Sequence, residues 1–86
     1  MVFTIEYLSV VVVHDIPSLD TAIKVHIQTA IESKLTREPR IFGKPLRYSK
    51  KRSWSLRVGD YRIIYVISNR VVVIIAIRHR KEVYER

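Results

Sequence analysis

Eighty-six residues, 48% of them apolar, suffice for one small domain over residues 1–86 and argue against disorder throughout. The absence of cysteine excludes a disulfide scaffold and thiolate-bound zinc or iron–sulfur centres, and it fits a reducing cytoplasm. Sixteen Lys and Arg against eight Asp and Glu give a net charge of +8, so polyanions are the natural class of partner. The excess is uneven: residues 1–36 net −2, whereas Arg37 to Arg62 carry nine bases against Glu38 and Asp60.

Val2 to Tyr7 alternates, with Phe3, Ile5 and Tyr7 on one face, and predicts a first strand. The β-branched run Val10 to Val13 has strand propensity, yet Ser9 can equally cap a short helix that ends before Pro17, and both readings stand at this point. Past Pro17, Ser18 or Asp20 can cap a helix whose buried stripe is Ile23, Ile27, Ala30, Ile31 and Leu35. Pro39 restricts Glu38 and lacks a backbone donor, so this helix should fail near Arg37. Gly43 to Ser53, with turn formers and five bases, reads as an exposed loop.

Three strands are expected beyond it. Trp54, Leu56 and Val58 alternate with Ser55 and Arg57, while Tyr61 to Ile67 and Val71 to Ile77 are almost wholly apolar. Gly59-Asp60 and Ser68-Asn69 mark the turns. Such apolarity places the last two strands centrally, covered on both faces. The order predicts an α+β fold: a small, twisted, antiparallel-rich sheet of four strands with two N-terminal helices packed on it. Val71 to Ile77 is far short of the ~20 residues of a membrane span.

His14, His26 and His79 have no ligand spacing that suggests a metal, and no Gly-rich phosphate loop or nucleophile elbow is present, so no cofactor is expected. What remains are arginines in apolar surroundings. Arg62 is either a strand-end residue paired with Asp60 or Glu82, or a phosphate clamp joined by Arg78 and Arg80 from the next strand. Tyr84 lies in a charged tail where it either packs back on the sheet or serves the site, and His79 is a candidate base or a solvated side chain. Lys50, Lys51 and Arg52, with Tyr48 and Trp54 interleaved, read as a nucleic-acid-binding patch or as a solvated loop tip, and Lys44, Arg47, Arg57 and Lys81 complete the candidate RNA-binding residues.

WSLRVGDYRIIY (Trp54 to Tyr65), RHRKEVY (Arg78 to Tyr84) and GKPLRYS upstream resemble the RelE/ParE toxin superfamily of type II toxin–antitoxin systems, with the RelE-like branch the nearer. The resemblance covers the second half of the chain well and the first half more loosely, and it favours a helix for the valine run. It implies a toxin that cleaves mRNA on the ribosome without a metal, in the cytoplasm, held in check by a small acidic antitoxin. Arg62, Arg78 or Arg80, and Tyr84 are the catalytic residues it implies. Ser53 and Ser55 stand where well-studied RelE enzymes carry lysines, which leaves the general base to Lys50, Lys51, His79 or Arg57. The alternatives are a ParE-like gyrase inhibitor that acts by protein binding, and a catalytically weak RNA-binding homologue.

Overall fold

A computed structural model describes residues 2–47 and 52–81. It is an α+β fold as expected, with a five-stranded sheet in the order β1-β5-β4-β3-β2. The strands are β1 (Thr4–Tyr7), β2 (Lys44–Pro45), β3 (Trp54–Val58), β4 (Tyr61–Ser68) and β5 (Val71–His79). The additional strand is β2, which lies in the segment expected to be all loop and pairs Lys44 with Ser55 and Pro45 with Trp54. All pairings are antiparallel except β1 with β5.

The valine run is helical, a wide π-type turn at Val11–Asp15. Only Val11 of that turn is buried, so its strand propensity yields to the need to cover the sheet. Helix α1 (Thr21–Ala30) starts at Asp20 and continues through a second wide turn, Ile31–Leu35. Ser18 serves the preceding turn, its hydroxyl donating to the Asp15 carbonyl at 2.8 Å. Pro39 then opens the one-turn helix α2 (Pro39–Phe42), where its missing donor costs nothing.

Ile27, Ile31 and Leu35 from the helical stripe meet Leu56, Ile63, Tyr65, Val72, Ile74 and Ile77 from the sheet in one buried core. At roughly 1.5–3 kcal/mol per fully buried large side chain, this layer holds the fold together. The apolar strands are not covered on both faces. Ile64, Val66, Val73 and Ala76, on the face away from the helices, are only half-buried among the described residues. The second hairpin also turns one residue later than expected, at Asn69-Arg70, with Asn69 in the left-handed region at φ 55°.

Candidate functional site

The helix-free face of the sheet carries a row of three arginines. In the β3–β4 ladder Arg57 stands opposite Arg62, and in the β4–β5 ladder Arg62 stands opposite Arg78. Directly opposed residues share a face, with Cβ atoms about 4.5–5.5 Å apart, so the three side chains leave one face of the sheet from neighbouring positions on adjacent strands. Opposed like charges destabilise a sheet, whereas an anion laid across them is stabilised by all.

A single irregularity makes the row. Ser68 pairs with Val71 and Tyr65 with Ile74, and an unbroken ladder would then set Arg62 opposite Ile77. The register shifts between Ile64 and Tyr65, leaving Ile75 as an extra residue, so Ile77 faces Ile63 in the core and Arg78 joins Arg62. Convergence of Arg62 with Arg78 thus depends on a bulge.

Arg78 is also held from the side. β1 pairs with β5 only as far as Ile74, and beyond that the free edge is taken by Asp15, whose Oδ2 accepts from the Ile77 backbone N–H at 2.9 Å and from Arg78 Nη1 at 3.1 Å. Asp15 is mostly buried and Arg78 is not, so the carboxylate is the fixed partner. Replacing Asp15 with Asn keeps an acceptor for the Ile77 N–H and removes the charge that draws Arg78 to the edge. Asp15→Asn is therefore expected to tighten phosphate or RNA binding several-fold, readable by filter binding at fixed salt. Unchanged affinity would show that Arg78 reaches the row regardless.

Arg80 follows the end of β5, its backbone N–H donating to the Asp60 carbonyl at 2.7 Å and its Nη1 lying 3.6 Å from the Asp60 carboxylate. Asp60, offered by the sequence as a partner for Arg62, thus serves Arg80. The pair is exposed and long, worth little in itself, yet it sets Arg80 beside Arg57 and Arg62 in a small shared cavity.

A groove of about 410 Å³ continues from Arg57 and Arg62 around the outer edge of β3, where the short β2 ends its pairing at Ser55. Lys34, Lys44 and Ser55 line it too, and no carboxylate does among the described residues. Lys44 lies opposite Ser55 on the next strand, which brings an amine beside the position where the sequence lacks one. Lys34 follows from nothing visible in the sequence, since it sits in the acidic N-terminal segment, and its Nζ lies 5.7 Å from the Phe42 ring centroid.

The other expected residues separate. His79 pairs with Tyr61 on the helix-side face, its ring edge-on to the tyrosine at 5.0 Å, so it cannot serve the arginine row as base. Its Nδ1 accepts from the backbone N–H of Lys81, whose side chain is exposed. Ser53 is buried. Arg47 and Arg52 lie away from the groove, in a different cavity. Lys50, Lys51 and Tyr84 lie outside the described residues.

The family described as ParE toxin of type II toxin-antitoxin system, parDE, has a model that matches residues 10–84. Toxin RelG of Mycobacterium tuberculosis is 43% identical over 54 residues, an alignment covering 60% of this chain and 62% of that protein, under two thirds of its length. Among solved structures, the toxin–antitoxin complex RelBE2 from M. tuberculosis matches with a TM-score of 0.84 at 30% identity, over 93% of this chain and 100% of that one. The archaeal RelE–RelB complex from Pyrococcus horikoshii OT3 shares the fold at a TM-score of 0.74 and 24% identity, over 93% of this chain and 97% of that one. The chain belongs to the ParE toxin family of type II toxin–antitoxin systems, within the RelE/ParE superfamily.

Proposed function

We propose that this toxin is a metal-independent, ribosome-dependent mRNA endonuclease that acts in the cytoplasm and inhibits translation. The observation that carries the reading is the in-register row Arg57, Arg62 and Arg78, opening into a groove without carboxylates among the described residues. Cleavage by the substrate's own 2′-hydroxyl needs fixed donors around a phosphate whose oxygens gain charge as the O2′–P bond forms and the P–O5′ bond breaks. The row supplies those donors. Lys44 accepts the 2′-hydroxyl proton, Arg80 supports the anion, Tyr84 is the tyrosine that the resemblance implies, and the departing 5′-oxygen takes a proton from water, whose hydroxide then returns Lys44 to its starting state. The products are a 2′,3′-cyclic phosphate and a 5′-hydroxyl.

The solved relatives are complexes with RelB antitoxins, and by extension the partner of this chain is a small acidic antitoxin that covers its basic groove. Primer extension on mRNA from cells expressing the chain is expected to show breaks inside translated codons, suppressed when the antitoxin is co-expressed. Intact mRNA together with gyrase-linked DNA breaks would instead identify a protein-binding poison. Intact mRNA and DNA would leave an RNA-binding homologue without cleavage.

A further inference from the structure

On the helix-bearing side of the sheet, Arg40, Arg47 and Arg52 line a second cavity of about 460 Å³ together with Trp54 and Ile67. Trp54 pairs with Tyr65 and Ile67 with Val72, both in the alternation that faces the helices, so this cavity and the arginine row occupy opposite faces. Its arginines come from separate elements. Arg40 is on α2, while Arg47 follows and Arg52 precedes a partner of one backbone bond, in which the Leu46 N–H donates to the Ser53 carbonyl at 2.9 Å. Arg52 holds φ 53°, a left-handed conformation unfavourable for a side chain of this kind, as it enters the strand that carries Trp54.

Among the described residues no carboxylate lines the cavity and none of its arginines forms an ion pair, so three guanidiniums are gathered there. Guanidinium forks match phosphate oxygens, and a half-buried indole beside them is a platform for a base or ribose. The size is that of a small-ligand site. We propose that this cavity is a nucleotide subsite for single-stranded RNA remote from the scissile position, with a phosphate among Arg40, Arg47 and Arg52 and the adjoining base or ribose against Trp54.

The subsite rests on the proposed function only for the source of the strand. It would hold a stretch of RNA on the face opposite the cut, so that affinity and cleavage are carried by different residues. An acidic peptide shares the charge complementarity, and the polyglutamate arm of the test separates it from RNA.

Trp54 is the single tryptophan of the chain, which makes its emission a direct report on this cavity. The intact protein is titrated with a 2′-O-methylated, uncleavable oligouridylate of about six nucleotides, a length within the usual footprint of single-strand sites. Saturable quenching of Trp54 that weakens with salt is expected. Arg40→Gln and Arg52→Gln should each raise the Kd about tenfold or more, and Arg52→Lys, which keeps charge without the fork, should raise it less. Far-UV circular dichroism confirms that each variant is folded, and either arginine suffices if the other variant does not fold. The double variant Arg57→Gln/Arg62→Gln should lose mRNA cleavage yet keep Trp54 quenching, which separates failure of the subsite from failure of the endonuclease reading. Trp54 emission unmoved while labelled RNA binds, or quenching by polyglutamate but not by RNA, would overturn the proposal.

Discussion

Arg62→Ala is expected to abolish growth inhibition and to lower mRNA cleavage about a hundredfold or more, the usual loss when a transition-state donor is removed. Arg62 lies between Arg57 and Arg78 on the face away from the helices, whereas neighbouring Ile63 and Tyr65 make the core contacts of β4. The melting temperature of the variant should therefore change little. A clear fall in melting temperature with toxicity retained would assign Arg62 to the scaffold and remove the row from the mechanism.

That row was half legible in the sequence. The two-residue turn at Gly59-Asp60 sets Val58 against Tyr61, and counting back gives Arg57 against Arg62. The same count across Asn69-Arg70 gives the wrong partner for Arg62, because the extra Ile75 leaves no trace in a strand where every residue is apolar. Alternation is the signal that reveals a bulge, and a uniform run has none. For the same reason the runs of β4 and β5 suggested cover on both faces, though the described structure covers one. The helical stripe from Ile23 to Leu35 was readable because its polar and apolar residues differ. The basic loop misled in another way: composition grouped Lys44 with Arg47 and Arg52, whereas the pairing of Lys44 with Ser55 sends the lysine to the groove and the arginines line the cavity on the other face.

Gly43→Ala should be among the most damaging single substitutions, and for a steric reason. Gly43 has φ −92°, an ordinary extended conformation, so no glycine is needed on backbone grounds. A Cβ there would lie 1.7 Å from Tyr65 Oη, 2.8 Å from its Cζ and 3.2 Å from the Pro39 carbonyl oxygen. The phenol cannot give way: Tyr65 is fully buried, and its hydroxyl donates to the Pro39 carbonyl at 2.5 Å, tying α2 to the sheet. Forcing an atom into this contact should cost about 3 kcal/mol or more, the upper range for overpacking, or roughly 12 °C or more in melting temperature for a domain of this size. Tyr65→Phe alone should cost about 1 kcal/mol, since it leaves the Pro39 carbonyl only the longer 3.4 Å bond from the Gly43 N–H. The double variant Gly43→Ala/Tyr65→Phe removes the worst clash but not the one at Cζ, so it should be more stable than the sum of the single losses and less stable than the parent. Alkaline unfolding gives a second reading of the same contact. Burial pushes the Tyr65 phenol up to about 12, so its neutral form stabilises the fold below pH 10 and that stability declines as pH rises from 10 toward 12. Tyr65→Phe should flatten that decline. Additive losses in the double variant, or a Gly43→Ala protein that melts like the parent, would show that α2 moves aside and that the Pro39–Tyr65 contact does not fix the wall of the groove.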